Sequence, residues 1–213
     1  MRDVVIVAGA RTPIGRFGGA FKDVDAADLG AAAIHAAVER GGVEPGAVDE
    51  VIMGNVIQAA NTGYVARTSA LRAGLPESVP AMTVNRACSS GLEAINMAAY
   101  AIMAGDADII VAGGVESMST VPYLAPGVRF DGLRYGDGRL IDALQAGLSC
   151  PVNDYHMGVT AENVAERYEV SRQAVQSDTA DEAAGDHRHG ECGDQDSDPV
   201  AGLCRIAEHD AEL

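Results

Sequence analysis

Short apolar runs alternate with stretches of helical spacing from the first residues to Ser119. Residues 4–8 are unbroken Val-Val-Ile-Val-Ala, the pattern of a strand covered on both faces. A stretch rich in Gly, Arg and Pro follows over 9–21. Asp25 stands where a helix needs an N-cap, and the Ala-rich residues 26–40 read as that helix, stopped by Gly41 and Gly42. Residues 51–56, 79–84 and 109–112 read as further strands, and 64–73 as a second helix. From 92 to 103 the apolar residues Leu92, Ile95, Ala99 and Ile102 recur at helical spacing, and Gly105 ends the segment. The order is β-α-β-α-β-α-β. It predicts an α/β fold, a layered sheet with helices on both sides.

After Ser119 the texture changes. Pro122, Pro126, Gly127, Gly132, Gly136 and Gly138 break the periodicity, as in a long excursion that builds a binding wall. Helical spacing returns near Thr160 and runs to Tyr168. From Gln173 apolar periodicity is lost, and composition predicts a loosely attached, disordered tail. No internal repeat is evident.

Composition narrows the options. Aromatic residues are 4% of the chain, so the core must be built from Ala, Val, Ile, Leu and Met. The formal net charge is -16, which opposes binding to nucleic acid. That charge is concentrated. The stretch from Gln173 to Leu213 holds eleven Asp and Glu against two Arg. No apolar run approaches the ~20 residues of a membrane helix, so no membrane partner is expected. Cys88, Cys150, Cys192 and Cys204 form no Cys-x-x-Cys pair, and Met1-Arg2-Asp3 has no leader character. The expected compartment is the reducing cytoplasm, where a lone cysteine serves chemistry more often than cross-linking.

Cys88 is the residue this reasoning singles out. It follows a buried-type strand and precedes a helix. At such a junction the free N–H groups and the positive end of the helix favour a thiolate, and they can hold an oxyanion. Small neighbours (Ala87, Ser89, Ser90, Gly91) leave room for a substrate. From position alone, an inert buried cysteine is the commoner outcome of such a pattern.

The residues around it add a resemblance. Val84-Asn85-Arg86-Ala87-Cys88-Ser89-Ser90-Gly91-Leu92-Glu93-Ala94-Ile95 resembles the nucleophile segment of thiolases. Arg11-Thr12-Pro13-Ile14-Gly15-Arg16-Phe17-Gly18-Gly19 is similar to the family's N-terminal motif, and Gly113-Gly114-Val115-Glu116-Ser117-Met118-Ser119 to its Gly-Gly-x-Glu-Ser-Met-Ser. His156-Met157-Gly158-Val159-Thr160-Ala161-Glu162-Asn163-Val164-Ala165 is similar to its Met-Gly-x-Thr-Ala-Glu-Asn-x-Ala. The four segments are collinear and cover roughly the first half of a thiolase. The resemblance implies the family's N-terminal α/β core over 1–119, part of its CoA-binding loop domain over 120–172, and a divergent acidic tail over 173–213, with the C-terminal domain absent. It implies acyl transfer between acyl-CoA or 3-ketoacyl-CoA and CoA through a cysteine thioester, within fatty acid metabolism. Coenzyme A thioesters are then substrates, with no separate cofactor. Cys88 becomes the nucleophile, with its own N–H in an oxyanion hole. His156 and Met157 line the pantetheine and acyl pocket, and Leu148 touches the CoA. Family members are homodimers or tetramers, with residues 61–67 in the region of subunit contacts.

Other family motifs have no counterpart. No Gly-His-Pro, Asn-Glu-Ala-Phe or Cys-x-Gly occurs in the chain. Those motifs carry the activating His and the second, acid–base Cys, so a catalytically incomplete fragment is the alternative. Such a fragment would at most bind CoA or pair with an intact subunit. A change of reading frame near Arg172 would account for the altered tail. A 3-ketoacyl synthase also sets its cysteine beside serines, but Glu116 to Ser119 and Met157 to Asn163 argue against it. No metal is expected: His187, His189, Cys192, Cys204 and His209 match no common zinc spacing. Residues 9–19 lack the lysine and glycine pattern of a phosphate loop. Gly113 and Gly114 are expected to let a strand end approach the nucleophile helix. Glu116 is expected to make a structural hydrogen bond. Asn85 and Arg86 are expected at most to orient the cysteine loop. Cys150 is assigned a structural role.

Overall fold

A computed structural model describes residues 2–130, 132–133 and 135–174, with the backbone alone at 60, 61 and 200–206. These form two compact units, divided between Pro122 and Tyr123, with 200–206 belonging to the first.

In the first unit, β1 (Val4–Arg11), α1 (Ala26–Arg40), β2 (Glu50–Gly54), α2 (Val65–Arg72), β3 (Ala81–Val84), α3 (Ser90–Ala104) and β4 (Ile109–Gly114) follow in the expected order. A further strand, β7 (Val200–Ile206), joins them. The sheet runs β1-β7-β4-β2-β3. β2 is parallel to both β3 and β4, and β7 is antiparallel to both its neighbours.

Side-chain alternation on β2 and β4 explains the layers. Val51, Met53 and Val111 point to one face, where they meet Ile34 and Val38 of α1 and Val65, Ala66 and Ala70 of α2. Ile52, Ile110 and Ala112 point to the other, against Ala94, Ala98 and Ile102 of α3. Strands covered on both faces read as continuous apolar runs, as these do. Small alanines on α1 and α3 let the helices lie close to the sheet.

Local signals set the helix ends. Asp25 caps α1 by accepting a hydrogen bond from Ala27 N, and Arg40 occupies the last turn. Gly105 closes α3 in the left-handed conformation at φ 87°, which glycine adopts without strain.

Two expectations are corrected. β1 is not covered on both faces: Val5, Ile6 and Val7 are exposed at 40%, 65% and 42%. It is the edge strand of the sheet, and an apolar run does not distinguish an edge from a centre. The tail is not irregular throughout, since 200–206 fills the place between β1 and β4. Its Val-Ala-Gly-Leu-Cys-Arg-Ile sequence is apolar enough for that position, a signal outweighed by the acidic residues around it. The rest of the tail, with His187, His189, Cys192 and His209, lies outside the described residues. Among the described residues no group of side chains is arranged to hold a metal ion, and no helix is long and apolar enough to cross a membrane.

The second unit contains the short pair β5 (Tyr123–Leu124) and β6 (Ile141–Asp142), then α4 (Ala143–Gly147) and α5 (Met157–Tyr168). The helix expected near Thr160 begins at Met157, because the His156 side chain accepts from Gly158 N and serves as its N-cap.

Candidate active site

Cys88 is exposed, in the four-residue link between β3 and the Ser89 cap of α3. Three features fix this link. Ala87 adopts φ 49°, a left-handed conformation that is costly for a residue with a side chain. Ser90, buried at the first position of α3, donates through Oγ to Ala87 O at 2.6 Å and accepts from Arg86 N at 2.8 Å. Asn85 accepts from Ala87 N at 3.0 Å and donates through Nδ2 to Val56 O at 2.8 Å. The Arg86 guanidinium is paired with Glu93, one turn along α3.

The helix start is pressed against two strand ends. A Cβ on Gly54 would lie 2.5 Å from Ser90 C and 2.6 Å from Gly91 N. A Cβ on Gly114 would lie 3.3 Å from Gly91 Cα. Gly114 therefore does what was expected of the Gly113-Gly114 pair. Gly54 does the same from β2 and was missed; a glycine closing an apolar run was the available signal.

Glu116 follows β4 and is half-buried. Its Oε2 accepts from Val56 N at 2.8 Å and Ile57 N at 3.3 Å, and its Oε1 accepts from Asn55 Nδ2 at 2.9 Å. Asn55 is itself buried and also donates to Val115 O at 2.9 Å. Burial pushes the Glu116 carboxyl above its ordinary range, against the opposing pull of these donors. A cavity of about 200 Å³ lies beside it, lined by residues that include Asp25, Ile57, Thr62 and Ser117.

Within the second unit, Leu148, His156 and Met157 come together. Met157 N donates to Leu148 O at 2.8 Å, and Ser149 bridges to His156. The His156 ring accepts at Nδ1 from Gly158 N at 3.0 Å. His156 and Met157 are exposed, and Leu148 is partly so. Nearby, Asn153 Nδ2 approaches Cys150 Sγ at 3.7 Å. Cys150 is partly buried, with this amide as a polar neighbour.

Residues 4–191 match the family model described as "Thiolase, N-terminal domain". The chain belongs to the thiolase family. It is 54% identical over 175 residues to an acetyl-CoA acetyltransferase of Cupriavidus necator, covering 82% of this chain and 44% of that protein. It is 51% identical over 174 residues to the acetyl-CoA acetyltransferase of Pseudomonas aeruginosa, covering 81% and 44%. The crystal structure of the Bacillus anthracis acetyl-CoA acetyltransferase superimposes with a TM-score of 0.76 at 46% identity, over 81% of this chain and 43% of that one. The chain thus spans less than half the length of these thiolase relatives. The synthase alternative is set aside by the family match.

Proposed function

We propose that this chain carries the acyl-accepting half of a thiolase reaction, with Cys88 as the nucleophile. The observation that carries this reading is the placement of an exposed cysteine, on a tightly held turn, at the N-terminal end of α3. The positive end of that helix favours negative charge at the sulfur and at a carbonyl oxygen under attack. The Cys88 sulfur attacks the thioester carbonyl carbon of an acyl-CoA. The bond from carbonyl carbon to CoA sulfur breaks, and CoA leaves with the proton given up by Cys88. The acyl enzyme then passes its group to the sulfur of CoA or to C2 of a second acetyl-CoA: the Cys88 thioester bond breaks, and the proton lost by the acceptor restores the Cys88 thiol. With a 3-ketoacyl-CoA, the sulfur attacks the C3 ketone carbon instead; the C2–C3 bond breaks, and acetyl-CoA leaves with the proton given up by Cys88 on its C2. Leu148, His156 and Met157 form the wall that receives the pantetheine arm. The relatives' names, acetyl-CoA acetyltransferases, support the substrate class. A reducing cytoplasm and a homo-oligomeric assembly accompany this reading.

The missing Gly-His-Pro, Asn-Glu-Ala-Phe and Cys-x-Gly motifs favour a second reading, in which the chain binds CoA or pairs with an intact subunit but does not turn over. General acid–base groups contribute typically 10²–10⁴-fold, roughly, so a chain working without them would be slow. Incubation with acetyl-CoA followed by mass analysis separates the two. An acetyl group on the Cys88 peptide that disappears in Cys88→Ser establishes the first half-reaction. A folded chain that never acquires it rules out the nucleophile reading. Thiolysis of acetoacetyl-CoA by the same samples then tests complete turnover.

A further inference from the structure

The turn that presents Cys88 is held from outside itself. Ala87 N donates to Asn85 Oδ1, Asn85 Nδ2 donates to Val56 O, and Val56 N donates to Glu116 Oε2. These bonds connect the end of β4, the segment after β2 and the segment after β3. Asn55 N adds a bond to Val84 O at 3.0 Å, closing the connection between β2 and β3. Ser90 fixes the carbonyl side of Ala87, and Asn85 fixes its amide side. A left-handed alanine persists only where surrounding structure over-determines it, and these two side chains supply that constraint.

We propose that Asn85, anchored through Val56 by Glu116, is a positioning residue that holds Ala87 in its left-handed conformation and so sets the Cys88 thiol for reaction. The significance for acyl transfer rests on the reading of Cys88 as the nucleophile. The relay itself does not. Without Asn85, Ala87 relaxes toward negative φ and the peptide leading into Cys88 rotates. Glycine at position 87 would hold the same conformation unaided.

The test is alkylation of the full chain by iodoacetamide, followed peptide by peptide, with Cys150 in the same sample as reference. Asn85→Ala is expected to slow Cys88 by about threefold or more, relative to Cys150. Adding Ala87→Gly to that variant is expected to restore the rate to within about 1.5-fold of the parent, because glycine enters the left-handed region at no steric cost. A residue that merely contributed to global stability would not be rescued in this specific way. Glu116→Ala is expected to slow Cys88 in the same direction. An unchanged Cys88 rate in Asn85→Ala, or no recovery in the double variant, overturns the proposal. Asn85 is exposed, so its variants keep the core; if Glu116→Ala fails to fold, the Asn85 and Ala87 series decides alone. Alkylation needs only a thiol. A chain that shows the expected pattern yet takes no acetyl group from acetyl-CoA would sink the acyl-transfer reading and leave the relay standing.

Discussion

Gly54 and Gly91 bring a strand end and a helix start into backbone contact: a Cβ on Gly54 would lie 2.6 Å from Gly91 N. Backbone atoms cannot swing away as a side chain can, so the helix would have to move. Gly54→Ala is therefore expected to destabilise the first unit by about 1–3 kcal/mol, the usual cost of overpacking. Urea denaturation measures it. The same displacement should alter Cys88 alkylation, since Ser90 and Cys88 move with the start of α3. A loss under about 0.5 kcal/mol, as for an ordinary surface change, would show that the junction is not tight.

Asp25 combines two roles that substitution can separate. It caps α1 through Ala27 N, and it pairs with Arg72 at 3.0 Å. Arg72 also meets Asp28 at 2.9 Å, and these side chains are 38% to 56% exposed. Asp25→Ala should cost about 1 kcal/mol, mostly from the lost cap. Asp25→Asn keeps a cap oxygen and leaves Arg72 its Asp28 partner, so its cost should be below about 0.5 kcal/mol. Thermal melts of both variants check the ordering. Equal losses would assign the stability to the ion pair.

Strand and helix order was legible because β2 and β4 bury both faces and α1 carries its own stop signals. Asp25 and Gly105 needed only local chemistry to be read correctly. The exposure of β1 was not legible, since hydrophobicity records that a strand is apolar and not which neighbours it receives. β7 was hidden because a mostly apolar seven-residue segment sits inside an acidic stretch, and only sheet pairing reveals its use. At the site, Cys88 was singled out from its junction and its motif, and the strand-to-helix junction it was expected to occupy is present. The bonds linking Asn85, Val56 and Glu116 were not, because two of their groups belong to the backbone at Val56, and no residue type announces a backbone contact 29 positions away.

Glu116 gives the first unit a pH dependence of definite sign. Burial raises its carboxyl above the ordinary glutamate value, while the N–H groups of Val56 and Ile57 and the side chain of Asn55 oppose the shift. A folded value above the unfolded one means that the native state holds the proton more tightly. The contribution is then fully present below the unfolded value and is lost as pH rises through the folded one. The parent should accordingly lose stability relative to Glu116→Gln between mildly acidic and neutral pH. Denaturation curves of both proteins across that range provide the check. Asp25 lines the same cavity and must be kept intact in both. A parent that gains on the glutamine variant as pH rises would mean the donors outweigh burial.

Cys150 should react as a thiolate at lower pH than an ordinary thiol. Hydrogen bonds from the backbone N–H of Asn153 and Val152 lower its pKa, with a smaller contribution from the Asn153 side chain. Such bonds exist only while the turn after α4 is folded. Peptide-resolved alkylation across pH should therefore place the Cys150 midpoint below the ~8.5 of a free thiol, and the midpoint should rise in denaturant. Asn153→Ala should move it only slightly, because it removes the weakest of the donors and leaves both backbone groups. A midpoint that is the same in folded and denatured chains would mean these N–H groups do not hold the sulfur. A large shift in Asn153→Ala would instead assign the effect to the side-chain amide at 3.7 Å.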